Sequence, residues 1–94
     1  MMMVPEITVD EAARRLDQGS QLLDVRQPDE YMTARVPGGQ LLPLHELPTR
    51  LDEVPTEGEV LVICRSGARS ARAVEFLVEH GVAAVNVAGG TNAW

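Results

Sequence analysis

The run Glu59-Val60-Leu61-Val62-Ile63 leads straight into Cys64-Arg65-Ser66-Gly67-Ala68-Arg69-Ser70 and then into a stretch with helical spacing. A continuous apolar, β-rich run of this kind belongs to a strand buried on both faces, as in the centre of a parallel sheet. Parallel neighbours require crossovers, so the rest of the chain must alternate strands with helices. The small-residue turn between strand and helix matters for chemistry too. It aims backbone N–H groups at one point, and the only cysteine of the chain stands there.

The remaining pattern fits that constraint. Thr8-Val9-Asp10-Glu11 is a capping-box signature, and Ala12, Ala13 and Leu16 continue a helix that Gly19 stops. Leu22-Leu23-Asp24-Val25 reads as a buried strand. Pro28, with Asp29 and Glu30 in the first turn, predicts a short helix. Pro37-Gly38-Gly39 is a turn, and Leu41-Leu42-Pro43-Leu44 a short strand near an edge because of its proline. A short helix is expected from Glu46 to Glu53. After the Cys64 turn, Ala71, Val74, Leu77 and Val78 mark one helical face that closes at Gly81. Ala84 to Val87 is a last strand, and Gly89-Gly90-Thr91-Asn92-Ala93-Trp94 a last turn and helix start. The expectation is one α/β domain over residues 1–94 with a mostly parallel sheet.

Charge narrows the partners. The net charge is −6, which argues against a nucleic-acid partner. All eight basic side chains are arginines. From Val60 to Val74 there is no acid, while Arg65, Arg69 and Arg72 fall there, a cationic patch suited to an anionic substrate. A solvated helix face is the plainer account of Arg72 alone. One cysteine excludes an internal disulfide and a cysteine-based metal site. No metal or cofactor is expected. Residues 1–6 show no signal-peptide pattern, and no apolar run reaches membrane-spanning length, so a reducing cytoplasm is the expected compartment.

A lone cysteine at a strand end often serves as a small buried hydrophobe. The turn around Cys64 offers more. A free thiol with a pKa of about 8.5 is only slightly ionised at neutral pH, and lowering it by about two units takes about 2.7 kcal/mol. A helix N-terminus contributes about 0.3–2 kcal/mol and each hydrogen bond to the anion about 1.5–3 kcal/mol. No histidine is required. His80 precedes Gly81 at a helix end, where capping is its expected role, and His45 is expected to start a surface helix.

Together, Cys64-Arg65-Ser66-Gly67-Ala68-Arg69-Ser70, Leu23-Asp24-Val25-Arg26-Gln27-Pro28-Asp29-Glu30-Tyr31, Val36-Pro37-Gly38 and Gly89-Gly90-Thr91-Asn92-Ala93-Trp94 resemble the rhodanese-homology domain in order and spacing. The resemblance runs from about Ile7 to Trp94. It implies a rhodanese-like α/β fold, with a mostly parallel sheet of about five strands and helices on both faces. It also implies a sulfurtransferase. Cys64 would take the outer sulfur of a donor such as thiosulfate or a persulfide, then pass it to cyanide or an acceptor thiol. That acceptor is a small molecule or a protein such as a thioredoxin. The N–H groups of Arg65, Ser66, Gly67, Ala68 and Arg69 would cradle the bound sulfur, and the side chains of Arg65 and Arg69 would attract the anionic donor. Asp24, Arg26 and Glu30 read as structural support, with Arg26 pairing to Glu30 four residues on.

Phosphatases that resemble rhodaneses carry an arginine six positions after the cysteine. Here Arg69 is five positions after Cys64 and the sixth is Ser70, so the loop is short for a phosphate cradle. A non-catalytic protein-binding or regulatory module is the alternative, although such modules often lack the nucleophile. Arg35 stands where many members of the family have histidine. The family usually continues a helix past the terminal tryptophan, so the last helix is expected to be cut short at Trp94.

Overall fold

In the computed structural model, which describes residues 4–94, five strands form one sheet in the order β1-β5-β4-β2-β3. They are β1 (Glu6–Ile7), β2 (Gln21–Asp24), β3 (Gln40–Leu41), β4 (Val60–Ile63) and β5 (Ala84–Val87). Every pairing is parallel. Four α-helices occur among the described residues: α1 (Val9–Asp17), α2 (Pro28–Thr33), α3 (Ala68–Glu79) and α4 (Gly90–Ala93). No helix among them is long and apolar enough to cross a membrane. The triple methionine at residues 1–3 lies outside the described residues.

The central run behaves as its composition dictates. All four residues of β4 are fully buried, and side chains alternate between the two faces. Val60, Val62 and Cys64 join Leu23, Val25, Ala84 and the α3 residues Ala73, Val74 and Leu77 on one side. Leu61 and Ile63 join Leu22, Val87, Val36 and the α1 residue Ala12 on the other. Cys64 thus enters the core on the α3 face.

Several elements differ from the sequence reading, each for a local reason. β1 was not expected: two residues after a proline are too short to show a period, and pairing with β5 alone makes them a strand. β3 stops before Pro43, although the amides of Leu42 and Leu44 still bond to Asp24 O and Val25 O at 2.8 and 3.1 Å. The helix expected over Glu46 to Glu53 is replaced by two 3-10 segments, Leu44–Thr49 and Leu51–Glu53. Pro48, inside the first, has no N–H to donate to an α-helical ladder. The buried face of α3 comprises Ser70, Ala73, Val74 and Leu77, whereas Ala71 is half-buried and Val78 is exposed. Ser70 belongs to that face although it is polar, so apolar spacing alone does not mark it. Thr8 does cap α1, accepting from the Glu11 amide at 3.2 Å, but the Glu11 carboxylate turns to Arg14 and Arg15 instead of completing the box.

The C-terminal turn is placed by close backbone contact. The amides of Thr91 and Asn92 donate to the carbonyls of Cys64 and Arg65 at 2.8 and 3.0 Å. Gly90 makes this approach possible: it has φ 56°, and a Cβ there would lie 2.2 Å from Cys64 O and 2.6 Å from Arg65 O. Gly90→Ala should therefore lower stability by about 2–4 kcal/mol, read from urea midpoints. Gly38→Ala is the control, because Gly38 has φ 86° but a Cβ there meets nothing. It should cost only the left-handed backbone term of about 1–2 kcal/mol. Equal losses at the two sites would refute the close-approach account.

Candidate active site

The site lies outside the carboxyl ends of β2, β4 and β5, where open parallel sheets gather their functional loops. β4 delivers Cys64, and only Arg65, Ser66 and Gly67 separate it from α3. Gly67 is the N-cap of α3 with φ 103°, and a Cβ there would crowd the Gly89 amide at 3.2 Å. In this conformation the Gly67 amide donates to Cys64 Sγ at 3.1 Å, and the Ser70 hydroxyl lies 3.3 Å from the same sulfur.

Two opposing effects act on the thiol. Burial pushes its pKa up, since Cys64 has no exposed surface. Against this stand the Ser70 hydroxyl and the amides of Ser70, Gly67 and Ser66, which together hold the pKa below the ordinary thiol value. Neither histidine is a hydrogen-bond partner of the sulfur. His45 is exposed, with its ring near Gln27 and Glu46, and the His80 Nδ1 lies 2.8 Å from Phe76 O at the end of α3.

The charged residues are arranged differently from the sequence reading. Arg26 does not pair with Glu30. It precedes α2, so helical i,i+4 spacing does not apply, and its guanidinium folds back onto Asp24 with Nε–Oδ1 2.9 Å and Nη2–Oδ2 2.8 Å. Both side chains are buried, and Arg26 Nη2 also donates to Ala34 O at 2.9 Å, tying the end of β2 to the end of α2. Glu30 instead takes both terminal nitrogens of Arg69 at 2.8 Å, and it accepts the Gln27 amide at 2.9 Å. The Arg69 hydrogen bonds, opposed by burial and helped by the Gln27 amide, lower the Glu30 pKa to about 2.

This pair separates two clefts. One, of about 360 Å³, is lined by Arg26, Asp29, Glu30, Thr33, Ala34, Arg65 and Thr91. The other, of about 480 Å³, has Arg69 and Arg72 beside Leu44, Leu47, Pro48 and Phe76. Arg65, Ser66 and Ala68 are exposed, Gly67 is buried and Arg69 half-buried. Arg35, at the departure from the family pattern, stacks its guanidinium 4.6 Å from the Tyr31 ring centre.

Sequence reasoning gave Ser70 no binding role and passed over Asn86. Asn86 is buried, bonds to Ser70, Gly67 and Glu6, and was legible only as the one polar residue in the strand Ala84–Val87. Among the described residues, no group of His, Cys, Asp and Glu is arranged to hold a metal ion.

The Glu30–Arg69 pair gives a pH-dependent prediction. The folded-state pKa of Glu30 is depressed, so its stabilisation is present above the unfolded value and lost as pH falls toward about 2. Glu30→Gln should cost about 0.5–1 kcal/mol at neutral pH, the pair being partly exposed. The difference between variant and wild type in urea titrations should shrink as pH falls below the ordinary carboxylate range. A difference constant with pH would mean that the carboxylate charge is not what stabilises.

Comparisons with known proteins agree with this architecture. The family model described as Rhodanese-like domain matches residues 8–94. A protein of Allochromatium vinosum named sulfurtransferase is 38% identical over 95 residues, covering 98% of this chain and 89% of that protein. The crystal structure of a rhodanese-like domain protein from Staphylococcus aureus superposes with a TM-score of 0.90 at 34% identity, covering 97% of this chain and 91% of that one. The human single-domain sulfurtransferase TSTD1 superposes with a TM-score of 0.88 at 25% identity, covering 98% and 96% of the two chains. The chain belongs to the rhodanese-like domain family, which includes active sulfurtransferases.

Proposed function

We propose that the chain is a sulfurtransferase that carries sulfane sulfur on Cys64. The observation that supports this most is the sulfur's set of donors: the Gly67 amide at 3.1 Å, the Ser70 hydroxyl at 3.3 Å, and a pKa held down despite full burial. A cysteine kept only for packing has no use for such donors.

In the first half of the cycle the Cys64 thiolate attacks the outer sulfur of an anionic donor such as thiosulfate. A bond forms from Sγ to that sulfur, and the bond from it to the sulfonyl sulfur breaks. Sulfite leaves with the electron pair. The negative charge then resides on the outer sulfur of the persulfide, within reach of the turn's amides. In the second half an acceptor thiolate attacks the outer sulfur, takes it as a new persulfide and returns Cys64 to the thiolate. Because Cys64 has no exposed surface, the donor must displace part of the covering turn to reach it. Arg65, exposed on the wall of the first cleft, supplies positive charge at the approach. Arg69 supplies more only by sharing itself between the donor and Glu30.

Incubation with thiosulfate followed by intact mass measurement should show a gain of one sulfur atom that Cys64→Ala abolishes. No adduct, with persulfide donors tested as well, would favour a binding module instead. Arg69→Ala should raise KM for thiosulfate more than it lowers kcat, by about three- to tenfold. An unchanged KM would remove Arg69 from donor binding.

A further inference from the structure

The Ser70 hydroxyl has one proton and two buried acceptors. Cys64 Sγ lies at 3.3 Å and Asn86 Oδ1 at 2.5 Å. The orientation of the Asn86 amide is set by its nitrogen, which donates to Glu6 Oε2 at 2.9 Å and to Gly67 O at 3.2 Å. Oδ1 therefore faces Ser70. Ser70 is fully buried and Asn86 nearly so. Strand alternation on β5 places Asn86 on the same face as Ala84, which is the Cys64 face.

We propose that Asn86 is a positioning residue acting through Ser70, whose hydroxyl points to Asn86 while Sγ is uncharged and turns to Sγ when that atom is an anion. In the thiol, Cys64 S–H donates to Ser70 Oγ, and Ser70 O–H donates to Asn86 Oδ1, so every group in the chain is satisfied. Ionisation releases the thiol proton to water. The Ser70 proton then rotates onto Sγ without leaving its oxygen, and Asn86 Oδ1 loses its donor. Asn86 thus competes with the sulfur anion for one proton and keeps the thiolate less stabilised than Ser70 alone would make it. A last step rests on the sulfur transfer proposed above: once charge moves to the outer persulfide sulfur, Ser70 returns to Asn86.

The other charged groups around the sulfur are common to both Ser70 backgrounds. Arg69 faces it from α3 with Glu30 attached, the Asp24–Arg26 pair lies beyond β2, and Arg65 is in the turn. Glu6 on β1 bonds to Asn86 and loses that partner equally in both backgrounds on Asn86→Leu, and α4 carries no charged residue.

The test is a double-mutant cycle on the full chain, with Cys64 ionisation read from the pH dependence of iodoacetamide alkylation. Ser70→Ala should raise the midpoint. Asn86→Leu should make the thiol about three- to tenfold more acidic with Ser70 present than the same change does in Ser70→Ala. An equal shift in both backgrounds would overturn the proposal, placing Asn86 in a purely structural role through Gly67. A second measurement needs no substitution. In wild type, the side-chain carbonyl NMR shift of Asn86 should change with the thiol midpoint, and a carbonyl blind to that ionisation contradicts the switch. Neither reading requires a sulfur donor, so failed persulfide formation would leave the switch standing and count only against the sulfur-transfer reading.

Discussion

The site depends on peptide groups held from behind. A trans peptide is planar, so fixing one carbonyl also fixes the N–H on its opposite side. Asn92 N holds Arg65 O at 3.0 Å, which turns the Ser66 amide the other way, and that amide is one of the groups lowering the Cys64 pKa. Thr91 N holds Cys64 O at 2.8 Å in the same manner. Gly90 therefore helps to set the direction of the turn's amides from the far side of the turn. Gly90 allows α4 to meet the turn backbone to backbone, and Gly67 provides the opposing bend.

Much of this was legible in the sequence, for physical reasons that also explain the gaps. β4 announces itself because a strand buried on both faces has to be apolar throughout. The start of α1, the start of α2 and the end of α3 were readable because Thr8, Pro28 and Gly81 carry their conformational meaning locally. The pairings of charged side chains were not. Arg26 and Glu30 stand four apart, but a helix that starts at Pro28 makes that spacing irrelevant, and the partners are set by tertiary position. Asn86 and Ser70 were missed for the same reason: a buried polar residue makes sense only beside its partner, and theirs are sixteen residues apart.

Electrostatic roles are divided among the arginines. Arg26 is neutralised by Asp24 and serves as a brace. Arg69 is neutralised by Glu30 and forms the partition between two clefts. Arg65 and Arg72 have no ion-pair partner among the described residues, although one lines each cleft. In a protein of net charge −6, these two arginines, left without an acidic partner, thus line the two clefts beside the Cys64 turn.

A sulfur anion at Cys64 would be stabilised by main-chain dipoles and a serine hydroxyl, with no histidine bonded to it. The most direct test of this stabilisation is ultraviolet titration of the Cys64 thiolate in wild type and in a His45→Ala/His80→Ala variant. Both proteins should ionise below the ordinary thiol value and at the same pH. Ionisation at or above that value, or a midpoint that moves when the two imidazoles are removed, would contradict it.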